Sequence, residues 1–143
     1  MLFRSALTYS RQGRYGDAAQ LGAEVVEVSK RVLGEEHPST LTSMNNLAMT
    51  YSYQGRYGDA AQLGAGVVEV MKRVLGEEHP DTLTSIGNLA STFFYQNKLQ
   101  RAQDLTTQCL QKRRAVLGAT HPDTVASRTW LQTIEAQLKT IHS

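Results

Sequence analysis

A twelve-residue phrase, Val32-Leu33-Gly34-Glu35-Glu36-His37-Pro38-Ser39-Thr40-Leu41-Thr42-Ser43, returns at Val74 to Ser85 with one change, Ser39 to Asp81. It returns again, in altered form, at Val116 to Ser127. Each return comes 42 residues after the last. A period of this length marks an array of one supersecondary unit that buries its apolar face only by stacking on its neighbours.

The phrase reads as a joint between two helices. Before it, the last helical turn carries Lys30-Arg31, Lys72-Arg73 or Arg113-Arg114, cations that suit the negative end of a helix dipole. Gly34, Gly76 or Gly118 follows, the residue that most easily takes the left-handed conformation closing a helix. The three prolines of the chain, Pro38, Pro80 and Pro122, come four residues later, where a fixed φ and a missing N–H suit the first turn of the next helix. Ser39, Asp81 and Asp123 then add a short polar or acidic group near that N-terminus.

The spacing of apolar residues fills in the helices. Leu41, Met44, Leu47, Ala48 and Tyr51 step by three and four along a first helix from about Pro38 to Tyr53. Gln54-Gly55-Arg56 makes a turn. A second helix runs from about Tyr57 to Leu75, and mid-helix Gly22 and Gly64 predict close approach of a neighbouring helix, because such a glycine costs roughly 1 kcal/mol against alanine. The next unit repeats the pattern as Pro80 to Tyr95 and Leu99 to Leu117, and a last helix covers about Pro122 to Ile141. Leu2 to Gln12 aligns with Met44 to Gln54 as an incomplete opening helix. The expectation is an all-α array of about seven helices in antiparallel pairs. It is one domain, divided into a partial first repeat (1–37), a second (38–79), a third (80–121) and a C-terminal capping helix (122–143).

Composition narrows the function. With 15 Lys+Arg against 13 Asp+Glu, and basic residues recurring at helix ends, there is no nucleic-acid footprint. A single cysteine excludes an internal disulfide framework and fits a reducing, cytoplasmic compartment. No apolar run approaches the roughly 18 residues of a membrane span, and no signal peptide precedes the repeats. His37, His79 and His121 recur one per unit, too far apart to share a metal ion, and read as joint residues. Glu35-Glu36 and Glu77-Glu78 are adjacent beside a loop and cannot flank a substrate bond. Cys109 takes the place of Val67 on the packing face, a buried inert thiol. No nucleophile has a base at a recognisable spacing, so the chain is read as no enzyme, with no cofactor and no metal.

Leu47-Ala48, Tyr51, Gly55, Tyr57 and Ala60 sit at the relative spacing of the tetratricopeptide signature, and the next unit matches at Leu89-Ala90, Phe93 and Ala102. The chain thus resembles tetratricopeptide-repeat arrays. Its 42-residue period, the phrase Asn45-Asn46-Leu47-Ala48 and the Leu-Gly-x-x-His-Pro joint resemble the longer units of kinesin light chains, and still more the C-terminal repeats of fungal NACHT or NB-ARC receptors. The resemblance implies a right-handed superhelix whose first helix of each pair lines a concave groove, and a scaffold for protein partners. No Gly-x-x-x-x-Gly-Lys-Ser/Thr loop occurs, so this chain alone is not expected to bind ATP.

Comparing the array with itself locates the candidate site. Over Gln12–Tyr53 against Gln54–Tyr95, eight of 42 positions differ: Glu24/Gly66, Ser29/Met71, Ser39/Asp81, Met44/Ile86, Asn45/Gly87, Met49/Ser91, Tyr51/Phe93 and Ser52/Phe94. Met44/Ile86 and Tyr51/Phe93 swap like for like, as core positions do. Asn45/Gly87, Met49/Ser91 and Ser52/Phe94 change chemistry, are spaced four and three apart, and form one stripe on the groove-facing side that the resemblance implies. Asn46 and Asn88 can pair with an extended peptide backbone, or alternatively with a neighbouring unit. Tyr53 and Tyr95 offer apolar area with a polar tip. Arg4 and Arg11 would make the N-terminal part of the groove receptive to an acidic peptide. Trp130 aligns with Asn46 and Asn88 and is placed at the groove mouth.

The binding residues expected are therefore Arg4, Arg11, Asn45, Asn46, Met49, Tyr53, Asn88, Ser91, Phe94 and Tyr95. The function expected is a non-catalytic scaffold gripping an extended peptide or partner surface, as the sensing region of a fungal NACHT-type receptor. Two alternatives stand beside it: self-assembly, with the open N-terminal helix (Leu2, Phe3, Leu7) buried against a second copy as a homodimer, and cargo adaptation like that of kinesin light chains. Neither nucleic acid nor membrane is expected as a partner.

Overall fold

A computed structural model describes residues 14–142 of the chain. Among the described residues there are six helices and no strand: α1 (Tyr15–Leu33), α2 (Pro38–Tyr53), α3 (Tyr57–Val74), α4 (Pro80–Tyr95), α5 (Leu99–Leu117) and α6 (Pro122–His142). Helix ends fall within a residue of those read from the Pro and Gly punctuation. The opening helix expected over Leu2 to Gln12 lies outside the described residues. The chain divides into two compact units, Met1–Val70 and Met71–Ser143, with α3 belonging to the first up to Val70.

The joints are built by side chains whose roles the sequence only half discloses. His37, His79 and His121 cap the helices that follow them. Each ring accepts, through Nδ1 and at 3.1 Å, the N–H of the residue two places on: Ser39, Asp81 and Asp123. Proline at the first helical position has no N–H to satisfy, so the cap meets the first amide that needs a partner. The imidazoles are thereby committed to backbone, and among the described residues no group of three or more His, Cys, Asp or Glu could hold a metal.

The closing glycines depart from the left-handed geometry expected of them. Gly34 has φ 100° and ψ 157°, and Gly118 has φ 93° and ψ 160°, a mirror-extended region open essentially to glycine alone. The turn between paired helices does use left-handed backbone. Gly55 has φ 80°, and Asn97, at the same repeat position, has φ 62°, asparagine being among the side chains that best tolerate this region. At the corresponding position α6 has Lys139 and no turn forms. That helix runs for 21 residues where α2 and α4 run for 16.

In the first unit α1 packs on α2. Ala19, Val26 and Leu47 form the buried centre, ringed by half-buried Ala23, Met44, Tyr51 and Leu63. Gly22 permits this approach: a Cβ there would lie 3.2 Å from Leu47 Cδ1. In the second unit α4 packs on α5 and α5 on α6, around Leu83, Ile86, Ala90, Ala102, Cys109 and Ile134, all essentially fully buried. Each large aliphatic side chain among them contributes roughly 1.5–3 kcal/mol through loss of water contact.

Three buried threonines, Thr40, Thr82 and Thr124, occupy one repeat position. Thr82 Oγ1 donates to the Met71 carbonyl at 3.4 Å, whereas the hydroxyls of Thr40 and Thr124 are sealed from solvent without a partner. A buried unpaired hydroxyl costs about 1 kcal/mol or more. Thr124→Val is therefore expected to stabilise the second unit by about 1 kcal/mol, and Thr82→Val to give no gain; thermal unfolding followed by circular dichroism separates the two.

Candidate functional site

The second unit brings sequence-derived residues of α4 to one place. A cavity of about 200 Å³ opens between α4 and α6 above α5. Gly87, Asn88 and Ser91 line it from α4, Thr106, Cys109 and Arg113 from α5, and Ala126, Ser127 and Trp130 from α6. Phe94 packs on Trp130 with ring centroids 5.0 Å apart. Tyr95 packs edge-on against Phe94 at 5.5 Å and remains largely exposed.

Comparison with α2 explains why there is space here. Gly87 stands where α2 has Asn45, and Ser91 where it has Met49; nothing lies within 4 Å of a Cβ built on Gly87. Two large-to-small changes empty the wall, and the third change along the stripe, Ser52 to Phe94, supplies a ring to support Trp130. Two of the three positions at which adjacent units differ most in chemistry, Gly87 and Ser91, thus line the cavity, and the third, Phe94, contacts its Trp130 wall.

The floor lies outside the set of residues expected from the sequence. Thr106 stands where the earlier units have Gly22 and Gly64, is 3% exposed, and its hydroxyl has no partner. Comparing that repeat position across all three units singles it out. Arg113 looks in the sequence like a helix-end cation. Its Nη1 donates to Ser127 Oγ at 2.9 Å and to the Asp123 carbonyl at 3.3 Å, which holds the guanidinium beside the cavity. Cys109 is 1% exposed; its thiol donates to the Leu83 carbonyl at 3.5 Å and lies 3.7 Å from Ser127 Oγ. That places it as packing, not as a nucleophile.

In the first unit the stripe is filled. Asn45, Met49 and Ser52 are half-buried on α2, while Asn46 and Tyr53 are exposed. Tyr53 lies against Tyr15 of α1 at 5.6 Å between centroids. Among the described residues the side-chain amides of Asn46 and Asn88 make no hydrogen bond, and their backbone carbonyls accept from Thr50 and Thr92 within the same helix. Arg4 and Arg11 lie outside the described residues. A second, more open cleft of the first unit, lined by Val26, Met44, Leu47, Tyr51, Arg56 and Leu63 among others, is rimmed by Arg56, which pairs with Asp59 at 2.9 Å and covers the Tyr51 ring at 4.2 Å.

Tetratricopeptide repeat family models match residues 1–65 and residues 82–123, together well over half of the chain. No curated protein matches it at the sequence level. Two crystal structures of the nearly identical TPR-like repeats of a kinesin-light-chain-type protein from Podosopora anserina, one of them a point variant, superpose with a TM-score of 0.82 at 30% identity, covering 92% of this chain and 62% of theirs. BtubC (BKLC) from P. vanneervenii shares the fold, with a TM-score of 0.78 over 88% of this chain and 50% of its own at 24% identity. The chain thus spans less than two thirds of the solved arrays it matches. The matched repeats and the all-helical build place the chain in the tetratricopeptide-repeat family, with a fold similar to that of kinesin-light-chain-like arrays.

Proposed function

We propose that the chain is a non-catalytic, cytoplasmic binding scaffold that holds an extended peptide or partner surface in the concave groove expected of such repeats, as the sensing region of a larger receptor of the fungal NACHT or NB-ARC class. The observation that carries this reading is the cavity opened by Gly87 and Ser91, because it lies where otherwise near-identical repeats differ in chemistry. Asn46 and Asn88 support it. Each has an unpartnered amide able to donate to and accept from a peptide backbone regardless of its side chains, while Met49, Tyr53, Phe94 and Tyr95 provide apolar contact and Asn45 a further polar one.

The test is a random-peptide display selection followed by affinity measurement on Asn46→Ala/Asn88→Ala. Binding is expected to fall at least tenfold, two backbone pairs each contributing about 1 kcal/mol, with helical content and melting temperature unchanged. Retained affinity would contradict the role of the two amides. Loss of folding would make them structural.

A second reading, self-assembly, is favoured by one observation: Leu21, Val25, Val28 and Val32 form an exposed apolar stripe along α1, Leu21 at 62% and Val32 at 68%, larger than isolated surface apolar residues require. Light scattering decides it. A concentration-dependent dimer that Val28→Glu/Val32→Glu returns to a single chain of 15.8 kDa would favour assembly; a constant monomer would remove it.

A further inference from the structure

We propose that the cleft between the start of α5 and the end of α6 binds a medium-chain fatty acid, Lys98 and Arg101 holding its carboxylate and Leu138 and Ile141 its hydrocarbon tail. This site is independent of the groove-binding reading. It is formed by α5, α6 and the turn residue Asn97, and by none of the stripe on α2 and α4.

A departure from the repeat pattern creates the space. With Lys139 at the position where Gly55 and Asn97 make turns, α6 continues past the point equivalent to Tyr53 and Tyr95. Leu138 and Ile141 belong to this added segment. Together with Lys98, Leu99 and Arg101 they line a cleft of about 570 Å³, within the size range of small-molecule sites. Leu99 is 6% exposed and Ile141 56%, so apolar surface runs from the buried side of the cleft to its rim.

Charge decides the head group. In α3, Arg56 and Asp59 pair at 2.9 Å; at the same repeat positions the start of α5 has Lys98 and Arg101. A neutral ion pair has become two cations. They lie 6.0 and 5.6 Å from the centroid of the Phe93 ring, and no carboxylate is among the residues described as lining the cleft. Cations at the start of a helix face the positive end of its dipole. The sibling helices α1 and α3 place Asp17 and Asp59 there, whereas the first turn of α5 holds no acid. Helix formation alone favours the acidic residue, so the reversal at Arg101 works against the fold. An anion between Lys98 and Arg101 relieves both the dipole and the repulsion of the two cations.

A carboxylate offers two acceptor oxygens for charge-assisted hydrogen bonds to this pair. A hydrocarbon tail then needs no polar partner. A peptide would instead bring backbone N–H groups to a wall of Leu99, Leu138 and Ile141 side chains, which offer them no acceptor.

The direct probe is decanoate, kept below its micelle concentration and titrated into the full chain while methyl NMR signals of Leu99, Leu138 and Ile141 are followed. Decanoate is expected to give saturable shifts at all three, decanol to bind roughly tenfold more weakly for want of the charge, and butyrate to give no shift. Arg101→Asp, which imports the residue α3 carries, is expected to weaken decanoate binding about tenfold, the loss of one hydrogen bond between charged groups. Ile141→Ser is expected to weaken it about fivefold through lost apolar contact. Both positions are exposed, and unchanged circular dichroism confirms that both variants fold. Decanol binding as tightly as decanoate, an unaltered response in Arg101→Asp, or shifts spread over the whole chain without saturation overturns the proposal. So does sedimentation with phosphatidylglycerol vesicles that Arg101→Asp abolishes while monomeric decanoate gives no shift, which would assign the cations to a membrane surface.

Discussion

Ile86→Ala is expected to destabilise the second unit by about 3 kcal/mol, through lost transfer energy and the cavity left behind. Ile86 is 0% exposed and sits in the centre of α4. Truncation at the same repeat position in α2, Met44→Ala, is expected to cost only about 1 kcal/mol, because Met44 lies at the edge of the first unit's core, half in solvent. Differential scanning calorimetry reads the contrast as a drop in melting temperature of roughly 10 °C against roughly 3 °C. Equal shifts would mean that repeat position, not burial, governs the contribution of a residue.

Gly34→Ala is the second large effect. A Cβ at φ 100° and ψ 157° is strained whatever the space around it, and nothing lies within 4 Å to relieve or worsen matters, so the cost is conformational, about 1–3 kcal/mol. Gly66→Ala is expected to change stability in the opposite direction. Gly66 lies in mid-helix with open space about its Cα, and alanine there favours helix by up to about 1 kcal/mol. Chemical denaturation of both variants checks the sign. A Gly34→Ala chain as stable as wild type would show that the joint can relax into another backbone geometry, and the account of the Leu-Gly-x-x-His-Pro phrase would fail.

These contrasts mark what can be read in the sequence and what cannot. Helix limits are legible because Pro38, Pro80 and Pro122 favour the first turn of a helix and Gly34, Gly76 and Gly118 favour its end. The histidine caps are not, since whether Nδ1 meets the amide two residues on depends on the extended backbone at His37 and His79, φ −66° and −64°, which no pattern of letters states. Met44 and Tyr51 face the core as their spacing predicts, but their half-burial depends on how far neighbouring helices reach.

The site divides the same way. Gly87 and Ser91 stand out as departures between near-identical repeats, whereas the cavity they open is closed by Thr106, Arg113 and Trp130 from two other helices. A three-helix enclosure of this kind becomes visible only once α4, α5 and α6 are packed. Thr106 is within reach of a self-comparison extended to the third unit. Arg113 is not, because a cation in the last turn of a helix has a sufficient explanation in the helix dipole.

The most direct test of the scaffold reading is to map where a display-selected peptide sits, by amide and side-chain NMR shifts across the full chain. The account predicts perturbation of Asn46 and Met49 in the first unit and of Asn88, Ser91, Phe94 and Trp130 in the second. Shifts confined to Leu21, Val25, Val28 and Val32 on α1, with the α4–α6 cavity silent, would contradict it.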